Sequence, residues 1–128
     1  MKLTKHEDGL VRKPPRPNSP TVTVIYGGEE GGPDVGLVRI VVPGGGGGMP
    51  PHRHNGSDII LTPLKGMVHI QKDDEKIEVG VGDLALVTKD ELVSLTNSGD
   101  EPAELLVAAG PADFVASIRE WPEPTGQS

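Results

Sequence analysis

Short apolar runs, several alternating with a period of two, follow one another from residue 21 to residue 109, each bounded by Gly, Pro, Asn or Asp. That period places every second side chain on one face of an extended chain, so each run predicts a strand. The runs are TVTVIY (21–26), GLVRIVV (36–42), DIIL (58–61), MVHIQ (67–71), KIEVGV (76–81), LALVT (84–88), LVSLT (92–96) and AELLVAA (103–109). In LVRIVV one face carries Leu37, Arg39 and Val41 and the other Val38, Ile40 and Val42. A strand covered on both sides in this way belongs to two sheets closed on one another. The period changes once, in PADFVASIREW (111–121), where Phe114, Val115, Ile118 and Trp121 fall three and four apart and Pro122 follows. This predicts one helix, expected against the outside of the barrel. Before the first run lie Pro14, Pro15, Pro17 and Pro20 with little apolar content, the composition of an extended arm that is loose or laid along a neighbour. The expected division is an arm (1–20), an all-β barrel (21–111) and a C-terminal helix and tail (112–128), with the end EPTGQS frayed.

Composition sharpens this picture mainly by exclusion. The 128 residues suit one domain with one core, and 18 glycines with 13 prolines suit many short strands. Lys and Arg number 12 against 19 for Asp and Glu, a formal charge of −7, which argues against nucleic acid or an anionic membrane as partner. Tyr26, Phe114 and Trp121 are too few to stack single-stranded bases. There is no cysteine, so a metal must be held by nitrogen and oxygen. Neither a leader-like apolar segment nor a membrane-length one is present, so a cytoplasmic location is expected.

The candidate chemistry sits in PPHRHNGSD (50–58). Alternate residues of a strand share a face, so His52 and His54 project together and are able to place two imidazole nitrogens on one cation. The preceding run Gly44–Gly48 lacks the Lys-Ser/Thr of a phosphate loop and no helix follows it, so it reads as a mobile surface turn. His69 alternates with Val68 and Ile70 and is expected on the outer face; His6 belongs to the solvated arm. Arg39 is expected to pair with a carboxylate, and KDDEK (72–76) to form a hairpin turn.

The spacing around the pair resembles the cupin family. Its first motif runs Gly, five residues, His-x-His, three or four residues, Glu, six residues, Gly, and Gly46, His52, His54 and Gly66 hold those places here. Its second motif begins and ends at Gly82 and Asn97 in the right separation, but Thr88, Asp90 and Val93 replace its Pro, Gly and metal-binding His. The glutamate place falls on Ile59 counting back from Gly66 and on Asp58 counting forward from His54. If it is Asp58, one extra residue must be absorbed before Gly66, and Thr62-Pro63 is the place for a bulge. The resemblance implies an all-β cupin (jelly-roll) double-stranded β-barrel with one C-terminal helix.

Two functional readings follow from the resemblance and stay open at this level. In the first, His52, His54 and Asp58 hold a divalent metal ion (Fe, Zn, Mn or Ni), and the protein is an oxygenase, isomerase or lyase with the histidines catalytic. In the second, the barrel is metal-free and binds, isomerises or cyclises an apolar small molecule, or serves as a non-catalytic binding module. Either way a small-molecule ligand and a homodimer are expected, the latter because exposed strand edges invite pairing; a barrel whose dimer surface is itself the functional part is a third possibility. The residues leave open whether the protein catalyses at all.

Overall fold

In the computed structural model, which describes residues 1–124, every alternating run becomes a strand. The strands are β1 (Leu10–Arg12), β2 (Thr21–Tyr26), β3 (Gly36–Val42), β4 (Gly47–His52), β5 (Asp58–Lys65), β6 (Val68–Lys72), β7 (Glu75–Val79), β8 (Ala85–Val87), β9 (Val93–Asn97) and β10 (Ala103–Gly110), followed by helix α1 (Asp113–Arg119). They form a six-stranded sheet in the order β1-β2-β3-β10-β5-β8 and a four-stranded sheet in the order β4-β9-β6-β7. Neighbours such as β3 and β10, or β4 and β9, are far apart in sequence, so the chain passes repeatedly from one sheet to the other, as in a jelly roll. The inner faces are those the alternation singles out: Val38, Ile40 and Val42 of β3, Val68 and Ile70 of β6, and Leu105 and Val107 of β10 are all buried.

Two strands escape the pattern. Residues 10–12 of the expected arm pair with β2, Leu10 opposite Val24, so the arm lies on its own chain and covers an otherwise open edge. Lys13 Nζ donates to Ser19 Oγ at 2.9 Å, and Arg39, expected to meet a carboxylate, instead donates to the His6 carbonyl at 2.8 Å. The second is β4, whose first residues Gly47 and Gly48 were expected in a turn. At Gly48, φ is +153° and a Cβ would collide with the Leu95 carbonyl oxygen, so the glycine lets β4 lie against β9.

Helix α1 corrects another expectation. It buries Phe114, Val115 and Ile118 as its spacing predicts, but Phe114, Ser117 and the following Trp121 face the space between the sheets. The reason is packing: Gly36 leaves room for Val115, whose side chain would meet a Cβ there, and the helix settles into the barrel end. Of the tail expected to fray, residues 125–128 lie outside the described residues; Glu123 sits 3.6 Å from Arg12. Asn97 is buried, donating from Nδ2 to the carbonyls of Val42 (3.1 Å) and Glu101 (2.9 Å) and accepting from the Gly99 N–H (3.0 Å), so it ties the β9–β10 corner to β3.

Candidate functional site

His52 ends β4 directly opposite Val93 of β9, and His54 follows in a turn closed by the Ser57 N–H on the His54 carbonyl at 2.8 Å. The rings meet edge to face with centroids 4.8 Å apart. His54 in turn meets the Phe114 ring in the same manner, also at 4.8 Å. Ser57 fixes this second contact: its buried hydroxyl donates to the Pro111 carbonyl and accepts the Phe114 N–H at 2.9 Å. Ser57→Ala should therefore cost about 1–2 kcal/mol in chemical denaturation, because a buried N–H and a carbonyl lose their partner together. A change below about 0.5 kcal/mol would sink that role for the hydroxyl.

Burial sets the charge of both rings. His54 is only 4% exposed and its Nδ1 has no hydrogen-bond partner; burial first, then the neighbouring His52, bring its pKa down to about 4. His52 is also held below the usual histidine value, chiefly by burial and further by the Arg16 guanidinium, against an opposing hydrogen bond to Pro50. Its Nδ1 lies 2.8 Å from the Pro50 carbonyl, which can only accept, so the proton is on Nδ1 and Nε2 is left as an acceptor. At neutral pH the pair presents two uncharged imidazoles.

They stand at one end of a cavity of about 240 Å³ between the sheets. Its wall is apolar, with Ile59 and Leu61 of β5, Ile70 of β6, Val93 and Leu95 of β9 and Val107 of β10. Phe114 and Trp121 close it from the helix side, while the exposed Arg53 and Asn55 stand at the rim.

Of the residues singled out from sequence, the structure brings together His52 and His54 but not Asp58. Asp58 is exposed, and its Oδ1 accepts the Lys89 N–H at 3.0 Å. Ile59 is buried in the cavity wall and holds the inward place. An extra residue is absorbed in β5, where Leu105 faces Pro63 and Glu104 faces Lys65. That irregularity lies beyond Ile59, and the pairing from Asp58 to Pro63 runs unbroken, so it cannot turn Asp58 inward. His69 lies half-buried on the face opposite Val68 and Ile70. Sequence reasoning missed Phe114, Ser117 and Trp121 as cavity residues, and Arg53 despite its place between the two histidines. The helical spacing signalled a packed face, but only the tertiary position of α1 turns that face into a cavity wall.

A metal site can be tested on these donors. Among the described residues, no three His, Cys, Asp or Glu side chains cluster so as to hold a metal ion. Two imidazoles against Ile59 and Val93 fall short of the three or more protein donors of a resident divalent site, so the residues present do not fit one.

A family model described as "Cupin domain" matches residues 38–109. No curated protein matches the chain. Among solved structures, oxalate oxidase in complex with the substrate analogue glycolate superposes with a TM-score of 0.65 at 22% identity, over 77% of this chain and 54% of that one. The chain thus spans about half the length of that protein. A conserved protein with a double-stranded beta-helix domain from Klebsiella pneumoniae gives a TM-score of 0.65 at 19% identity, over 80% of this chain and 86% of that one. A putative ethanolamine utilization protein Q from Salmonella typhimurium gives 0.60 at 18%, over 73% and 70%. At these identities the likeness is one of fold. No helix among the described residues is long and apolar enough to cross a membrane.

Proposed function

The chain belongs to the cupin family, and on that premise we propose that it is a metal-independent cupin that binds a small, largely apolar molecule between its sheets. One observation carries this reading: where the family has its remaining metal ligands, this chain has Ile59 and Val93, both buried in the wall of the cavity. Removing the donors makes the interior a place for hydrocarbon, which gains about 25 cal/mol for each Å² of apolar surface withdrawn from water. His52 and His54 are then its polar anchor. Neutral imidazole accepts a hydrogen bond, or a proton, from a group on the bound molecule, and His52 Nε2 is the acceptor left bare by the Pro50 contact.

Protein purified without chelator or metal-binding tag should carry far less than one metal per chain by elemental analysis. It should bind the neutral probe 2-naphthol equally well with and without EDTA. His52→Ala/His54→Ala should leave metal content unchanged and weaken 2-naphthol roughly tenfold, the worth of one hydrogen bond in a dry site. Near-stoichiometric metal in the wild type, lost in the double variant, would overturn the reading. A homodimer belongs to the same proposal: Leu86, Ile60, Ala108 and Leu37 lie in one row across the outer face of the six-stranded sheet, and exposed apolar residues in it, Leu86 and Ile60, favour a covered face.

A further inference from the structure

Arg53 lines this largely apolar cavity and Arg16 reaches its edge at Met49, neither with an anion to meet it. Arg53, between the two histidines, lines the cavity and spends only its Nε, on the Asp90 carbonyl at 3.2 Å. Arg16 reaches over from the proline-rich arm, and its guanidinium donates to the sulfur of Met49 at 3.1 Å, a weak acceptor on a residue that lines the cavity. The ion pairs among the described residues are Arg12 with Glu123, Lys72 with Glu91 and Arg119 with Glu29, so neither Arg16 nor Arg53 has a carboxylate partner. In a chain of charge −7, acidic side chains are plentiful. Two arginines left unpaired at the mouth of one cavity therefore mark a place kept for an external anion. The adjacent rings do not compete for that role, since Arg16 helps to keep His52 uncharged.

We infer that the ligand is an apolar carboxylic acid, bound with its hydrocarbon body between the sheets and its carboxylate at the rim between Arg16 and Arg53. The inference rests on the cavity being a ligand site and adds the chemical class. Guanidinium donates in a planar fork matched to the two oxygens of a carboxylate, and the wall beyond is mainly hydrocarbon, from residues such as Ile59, Leu61, Ile70 and Val107, with Ser94 and Ser117 among them. The arm also gains a task, because Arg16 is one half of the anion clamp.

The test compares hexanoate with hexanamide, its neutral isostere, by calorimetry at pH 7.5 in low and high salt. Wild type should bind hexanoate about tenfold or more tightly than hexanamide, with the preference shrinking as salt rises. In Arg16→Gln/Arg53→Gln the preference should vanish through loss of hexanoate binding, with a thermal melt like that of wild type reporting that the variant is folded; each single variant should lose part of the preference. Equal binding of acid and amide by wild type overturns the inference and leaves the ligand cavity standing. A preference that survives in the double variant overturns it too, since the anion is then read elsewhere. If neither probe binds wild type while 2-naphthol does, the acid is excluded; if no probe binds, the ligand-site reading falls with it.

Discussion

Ile59→Glu combined with Val93→His is expected to turn this barrel into a metal protein, raising its affinity for Zn²⁺ or Mn²⁺ by about 10³-fold or more. Groups that merely orient a metal's ligands are worth about 10–100-fold in affinity, so two donors added directly to the pair supply at least ~10³ together. The geometry favours them. Residue 93 is directly opposite His52 across the β4–β9 pairing, and residue 59 faces the same cavity from β5. Without metal the variant should be less stable than wild type, because a glutamate in that apolar wall has no partner. Metal should restore it in proportion to RT ln(1 + [metal]/Kd). Isothermal titration with Zn²⁺ and thermal melts with and without metal read both effects. Val93→His alone, which adds no buried charge, gives a milder intermediate if the double variant folds poorly. Wild type binding Zn²⁺ as tightly as the double variant would sink the metal-independent reading, for it would mean that Ile59 and Val93 had removed nothing.

How far the sequence reaches depends on whether a feature is written in local periodicity. β3, β6, β9 and β10 are legible because alternation and flanking turn residues declare them without reference to anything distant. β1 is three residues long, and only the register of β2 makes it a strand. β4 has the sequence GGMPPH, a composition that reads as loop, and it is extended because β9 runs beside it. The site divides in the same way. His52 and His54 are visible from spacing alone, and the residue that the family frame puts in the place of a metal-binding histidine, Val93, lies opposite His52 in the β4–β9 pairing. The choice between Asp58 and Ile59 is not local: both counts are allowed until the fold buries Ile59 in the cavity wall and leaves Asp58 exposed against the Lys89 N–H. Phe114 and Trp121 declare a buried face, yet nothing in their spacing says that it closes one end of the barrel. Arg16 has no periodic context at all, and its place at the rim depends on an arm held down by β1 and by Lys13.

Acid should unfold this protein through His54. Its pKa is about 4 in the folded state against 6.5 in the open chain, so between those values the unfolded chain holds more protons than the folded one. Stability from this source is complete above pH 6.5 and is lost progressively as pH falls toward 4, by about 3 kcal/mol in all, at roughly 1.4 kcal/mol for each pH unit of displacement. His52 is displaced in the same direction and steepens the loss. Urea denaturation at intervals from pH 7.5 to 4 measures it, with His54→Leu as the partner variant. Leucine has no proton to bind and leaves no unpaired nitrogen against Phe114, so its stability should fall much less over the same window, with the two curves converging or crossing at the acid end. Parallel curves would mean that His54 titrates normally in the fold, and with that the picture of a dry, uncharged histidine pair would fail. The same dryness has a functional side. His54, with its pKa of about 4, adds no charge at mildly acidic pH and leaves Arg16 and Arg53 as cations at the rim, so the selection of an acid over its amide should persist until the pH nears the ordinary carboxyl range and the ligand itself takes up a proton.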